Sequence, residues 1–82
     1  MSELEIEYCV PCGLLPAAEA TAHALLSSLG ERIGALRMKP GHGGVFKVRV
    51  DGEVIFDKAS EGYDPEAILV RVHERLRTAS RS

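Results

Sequence analysis

The chain has 82 residues, 45% hydrophobic and 27% charged, with a formal net charge of −2. That is one domain, 1–82, with a limited core near the lower limit of independent stability. The small net charge gives no drive toward nucleic acid or acidic lipid, and no stretch approaches the ~20 apolar residues that span a membrane. Met1-Ser2-Glu3-Leu4-Glu5 has neither the basic nor the apolar region of a signal peptide, so the expected compartment is the cytoplasm, where disulfides are more often catalytic or transient than structural.

Residues 3–8 alternate strictly, with Glu3, Glu5 and Glu7 on one side and Leu4, Ile6 and Tyr8 on the other. Period two predicts a strand with one buried and one wet face. After Cys9-Val10-Pro11-Cys12-Gly13, Pro16 suits the first turn of a helix. Ala18, Ala22, Leu25, Leu26 and Leu29 recur at helical spacing and Gly30 is placed to end the run, predicting a helix over 16–29. Residues 33–39 alternate again, Leu36 and Met38 against Arg37 and Lys39. This strand–helix–strand unit reads as a parallel crossover.

Pro40-Gly41-His42-Gly43-Gly44 reads as a loop, because so many glycines disfavour regular structure. Phe46, Val48 and Val50 alternate with Lys47 and Arg49 in a third strand. Asp51-Gly52 is a hairpin turn, and Glu53–Asp57 returns as a fourth strand with Val54 and Phe56 expected on the buried side. Residues 59–63 read as loop. Asp64-Pro65-Glu66 opens a final helix with a cap, a first-turn proline and an acid at its positive end. Ile68, Leu69, Val72 and Leu76 form its apolar stripe, and the tail from Thr78 to Ser82 is expected to fray.

The wet face predicts the strand order. The first strand offers only acids, whereas the second and third offer Arg37, Lys39, Lys47 and Arg49. Placing the acidic strand between the two basic ones pairs opposite charges across both ladders, ~0.2–1 kcal/mol per pair. The expected fold is an α/β two-layer sandwich, β-α-β-β-β-α. It has a mixed four-stranded sheet of order 2-1-3-4 and both helices on one face.

Chemistry concentrates at Cys9-Val10-Pro11-Cys12, where a strand pattern ends and a helix pattern begins. Two thiols with two residues between them at such a junction mark a dithiol that opens and closes. A nearby helix N-terminus favours the thiolate, the reactive form. Val10 and Pro11 make a stiff, uncharged loop, and Gly13 is either a turn residue or a gap that leaves the sulfurs accessible. Leu14 and Leu15 are core anchors or an apolar rim for a substrate. His42, Gly43 and Gly44 are weaker substrate-contact candidates, His42 reading first as a solvated loop histidine. Neither His23 nor His73 shares a metal-ligand spacing with the cysteines, so no metal site is expected. Two further readings stay open: a soft-metal-binding module, since thiolates bind soft ions, and a redox-sensing interaction adaptor without turnover.

The whole arrangement resembles the thioredoxin-like fold and, more particularly, the selenoprotein W-like (Rdx) family. The matching residues are Tyr8-Cys9-x-x-Cys12-Gly13 with Pro16, then Gly44-Val45-Phe46-x-Val48-x-Val50, Asp51-Gly52 and Gly62-Tyr63. The resemblance implies a thiol-based redox protein with no bound cofactor. It implies glutathione or thioredoxin as reductant, and a protein, small disulfide or peroxide as substrate. Many animal members carry selenocysteine at the position of Cys12, which implies that Cys12 attacks and Cys9 resolves. Thioredoxins use the opposite order, so both assignments stand here, with Cys12 favoured.

Overall fold

The computed structural model describes residues 2–80, with side chains described through Arg77. The elements are β1 (Ser2–Cys9), α1 (Leu15–Leu29), a 3-10 turn (Gly30–Arg32), β2 (Ile33–Gly41), β3 (Phe46–Val50), β4 (Glu53–Asp57), α2 (Lys58–Glu61) and α3 (Pro65–Ser80). The sheet has the order β2-β1-β3-β4. β1 runs parallel to β2 and antiparallel to β3, and β3 pairs antiparallel with β4.

The expected charge ladder is present. Glu5 lies between Arg37 and Arg49, and Glu7 between Lys39 and Lys47. Arg49 pairs with Glu7 at 2.9 Å and Glu5 at 3.6 Å, and Arg37 reaches diagonally to Glu3 at 3.1 Å. The opposite face carries the core, where Leu4, Ile6, Phe46, Val48 and Phe56 meet Ala18, Leu25, Ile68, Val72 and Leu76 in one cluster. Small alanines on α1 let that helix lie close to the sheet. Asp51 and Gly52 both take left-handed backbone angles, φ 52° and 87°, as the tightest hairpin turn requires. The Asp51 carboxylate accepts the Glu3 N–H at 2.9 Å, tying the turn to β1.

Several expectations are corrected. Pro40 and Gly41 belong to β2, opposite Tyr8 and Cys9; a proline is tolerated there because β2 is an edge strand. Val54 is 43% exposed rather than buried. The β3–β4 register shifts between Val48 and Arg49, so Phe56 faces Val48 while Val54 faces Arg49. The extra residue, Ile55, is a bulge that carries Val54 to the charged side. Leu26 is exposed because the buried arc of α1 runs through Ala18, Thr21, Ala22, Leu25 and Leu29 and stops short of it.

Gly30 follows the last residue of α1 but keeps right-handed helical angles and opens the 3-10 turn. In the stretch 59–63, expected as loop, the first residues belong to a helical turn, Lys58–Glu61, capped by the Asp57 side chain accepting from the Ala59 N–H. α3 starts as expected, with the Asp64 carboxylate accepting the Ala67 N–H at 3.2 Å. It extends to Ser80, further than the frayed tail expected; Arg81 and Ser82 lie outside the described residues. Among the described residues no helix is long and apolar enough to cross a membrane.

Candidate functional site

The site is built at the end of the central strand. Cys9 is the last residue of β1, and its N–H donates to the carbonyl of Val45 at 2.8 Å. Val10 N–H donates to the carbonyl of Gly41 at 3.2 Å. The start of the loop is thus pinned by the end of β2 on one side and by the residue leading into β3 on the other. The chain then turns sharply. Gly13 N–H donates to Val10 O at 3.1 Å and Leu14 N–H to Cys9 O at 3.2 Å. Gly13 sits at φ 74°, a conformation that glycine adopts without steric cost. Its role is therefore that of a turn glycine. α1 begins immediately afterwards, with no side chain capping its first turn and no acid in that turn.

The two cysteines form a disulfide, with Cα atoms 5.5 Å apart. Their environments differ sharply. Cys9 is fully buried at 0% exposure, whereas Cys12 is exposed. Around Cys12 the surface is apolar: Val10 is 51% exposed, Pro11 is exposed and Leu15 is 42% exposed. Leu14 is half-buried and packs against the core. Of the two leucines, Leu14 is the core anchor and Leu15 is exposed.

His42, Gly43 and Gly44 are exposed in the loop between β2 and β3, and both glycines have left-handed φ values, 71° and 76°. His42 makes no side-chain hydrogen bond or ion pair among the described residues. The structure brings this loop to the dithiol through two residues not singled out from the sequence, Gly41 and Val45, whose carbonyls hold Val10 and Cys9. Gly41 is buried, and a Cβ there would sit 2.8 Å from Val45 Cγ1 and 3.2 Å from Glu7 Oε2. The signal for Gly41 was its register place opposite Cys9, hidden by reading Pro40 as the end of the strand.

Beneath the site, the ring of Phe46, opposite Tyr8, meets the ring of Tyr63 edge-on at 5.4 Å. The Tyr63 hydroxyl lies 3.0 Å from Thr21 Oγ1, which itself donates to the Ala17 carbonyl at 2.8 Å. The Glu7 carboxyl, two residues before Cys9, is held below the ordinary carboxylate range by its hydrogen bond from Arg49, opposed by desolvation and aided by the charges of Arg49, Lys39 and Lys47. Among the described residues, no three His, Cys, Asp or Glu side chains gather as a metal-binding group.

Comparison with known proteins agrees with this geometry. A model described as the Rdx family matches residues 3–74. The chain is 33% identical over 78 residues to Migration and invasion enhancer 1 of Bos taurus, covering 92% of this chain and 62% of that protein. The chain thus spans less than two thirds of that relative's length. A crystal structure of a selenoprotein W-related protein from Vibrio cholerae superposes with a TM-score of 0.85 at 25% identity, covering 92% of this chain and 96% of that one. A structure from Bordetella parapertussis gives 0.84 at 30% identity, covering 90% and 96%.

Proposed function

The chain belongs to the Rdx family, and we propose that it works by thiol–disulfide exchange, with Cys12 as the attacking sulfur and Cys9 as the resolving one. The observation that carries this reading is the inequality of the two sulfurs. A client can reach the exposed Cys12 and has no access to Cys9, buried at 0%. The uncapped first turn of α1, free of acids, favours negative charge on the nearby Cys12 sulfur.

In the reduced protein, the Cys12 thiolate attacks one sulfur of a client disulfide. A bond forms from Cys12 to that sulfur, and the other client sulfur leaves as thiolate and takes up a proton. Cys9 loses its proton and attacks the Cys12 sulfur. The first client sulfur leaves, and the Cys9–Cys12 disulfide closes. Two electrons pass to the client, which ends as a dithiol or two thiols. Two molecules of glutathione, or a thioredoxin, return the pair to the dithiol. The exposed Val10, Pro11 and Leu15 provide the uncharged surface on which a disulfide-bearing protein or glutathione rests.

The test is equilibration in graded glutathione ratios, acid quenching, alkylation and intact mass for wild type, Cys9→Ser and Cys12→Ser. The expected result is a reversible dithiol–disulfide transition in the thioredoxin–glutaredoxin range, roughly −200 to −270 mV. Cys9→Ser retains glutathione as a mixed disulfide and Cys12→Ser does not. A pair that never closes, or a mixed disulfide trapped on Cys9 instead, overturns the assignment.

A further inference from the structure

The sheet has two edges, and the molecule treats them differently. At β4 the ladder is broken by the bulge at Ile55. The Ile55 carbonyl accepts a hydrogen bond from Arg71 at 3.2 Å, and Arg71 is held in turn by Glu61 at 2.6 Å. Its guanidinium lies 5.7 Å from the centre of the Phe56 ring, and Arg75 pairs with Glu53 at the start of the strand. That edge is blunted in the usual ways.

β2 is left open. It is nine residues long, and no strand pairs with its outer side among the described residues. Val10 donates to the Gly41 carbonyl, so the backbone of Gly41 faces β1. By alternation the backbone groups of Leu36, Met38 and Pro40 face outward, which is also the only side on which a proline nitrogen costs no ladder bond. Leu36 and Met38 are only half covered on the core side. On the charged side, Lys39 stands opposite Glu7, whose carboxylate is engaged by Arg49. Lys39 therefore makes no ion pair among the described residues, and Arg37 holds Glu3 only in an exposed pair.

We infer that the outer edge of β2 is the docking strand for an extended segment of a client protein in which acidic and apolar residues alternate, with the client's disulfide a few residues beyond it. β1 shows the fit from the inside. Its Glu5 and Glu7 stand opposite Arg37 and Lys39 in register and its Glu3 holds Arg37, while Leu4, Ile6 and Tyr8 pack on the core side. A segment of the same pattern on the outside satisfies the outward backbone groups, neutralises Lys39 and Arg37, and covers Leu36 and Met38. A second copy of this chain fits poorly, because antiparallel pairing of β2 with itself sets Arg37 and Lys39 against the same bases. The added strand lies two strand spacings, about 10 Å, from β1, and three extended residues span about that distance. Delivery of the client sulfur rests on the dithiol reading above; the docking does not.

The test uses isotope-labelled oxidised protein and a synthetic peptide, Glu-Leu-Glu-Ile-Glu-Gly-Gly-Ser, with a version carrying Lys for Glu as control. The expected result is amide shifts and slowed hydrogen exchange centred on Leu36 and Met38 with the acidic peptide alone. With the terminal Ser replaced by Cys in a mixed disulfide with a small thiol, the reduced protein exchanges about tenfold faster with the acidic peptide than with the basic one, ~1.4 kcal/mol of preference. The preference disappears in Arg37→Glu/Lys39→Glu and in Met38→Pro, which removes an outward donor, while the rate with a free small disulfide is unchanged. Shifts centred on another element, no difference between the peptides, or sedimentation showing β2 occupied by a second copy that the peptide does not displace, each overturns the inference. Peptide binding at β2 without exchange with any disulfide leaves the docking standing and removes the redox reading.

Discussion

The Tyr63 hydroxyl sits 3.0 Å from Thr21 Oγ1, joining the segment before α3 to the middle of α1 across 42 residues of chain. Thr21 is almost fully buried, and Tyr63 rests edge-on against Phe46, next to the strand that ends in Cys9. The pair therefore braces the helix that begins at the dithiol. Removing only the hydroxyl in Tyr63→Phe is expected to cost about 0.5–1.5 kcal/mol. Thr21 keeps its bond to Ala17 and the ring stays in place. Tyr63→Ala, which also removes the ring, is expected to cost more. Urea unfolding of the three proteins checks the order; equal stabilities for wild type and Tyr63→Phe show that the hydroxyl contact contributes nothing.

Gly41 leaves no room for a side chain. A Cβ at that position meets Val45 Cγ1 at 2.8 Å, so Gly41→Ala is expected to destabilise by about 1–3 kcal/mol through overpacking. Val45→Ala removes the obstructing methyl. The double variant is expected to be more stable than the sum of the two single changes implies, by about 0.5 kcal/mol or more. Simple additivity in chemical denaturation places the strain elsewhere.

Glu7 and Arg49 make stability pH-dependent in a known direction. The hydrogen bond from Arg49 lowers the Glu7 carboxyl in the folded protein, below the unfolded value of about 4.3. The contribution is fully present above that unfolded value and is lost as pH falls through the folded one. Arg49→Met is expected to be less stable than wild type by about 0.2–1 kcal/mol at neutral pH, the range for an ion pair at the protein surface. The gap narrows on acidification, and the Glu7 carboxyl titrates nearer its ordinary value by carbon-detected NMR. A gap that widens toward acid contradicts the linkage.

Much of this architecture was legible because charge and hydropathy alternate in step. Three acids in one strand and bases in two others admit one low-energy order, and the registers of Glu5 and Glu7 are those that order requires. The features that escaped have local causes. Val54-Ile55-Phe56 is uniformly apolar, so the bulge that turns Val54 outward leaves no mark in the pattern. Pro40 reads as a terminator unless β2 is known to be an edge. Thr21 is polar, yet the Ala17 carbonyl and the Tyr63 hydroxyl make its burial affordable. At the site, the dithiol was plain from spacing. The inequality of its sulfurs was not, since it depends on Cys9 belonging to the strand and Cys12 to the turn beyond it.

The burial of one sulfur beside an exposed one also divides the chemistry of oxidative damage. Under the exchange chemistry proposed above, peroxide is expected to reach the exposed Cys12 first and convert it to a sulfenic acid. Cys9, sheltered at the strand end, is expected to condense with it and expel water before further oxygens add. In its proposed resolving role Cys9 would thus close a reversible bond at the point where irreversible sulfinic and sulfonic acids begin. Peroxide treatment followed by intact mass is expected to give only the disulfide in wild type, and gains of two and three oxygens in Cys9→Ser. Equal over-oxidation in both proteins shows that the buried partner arrives too late to protect.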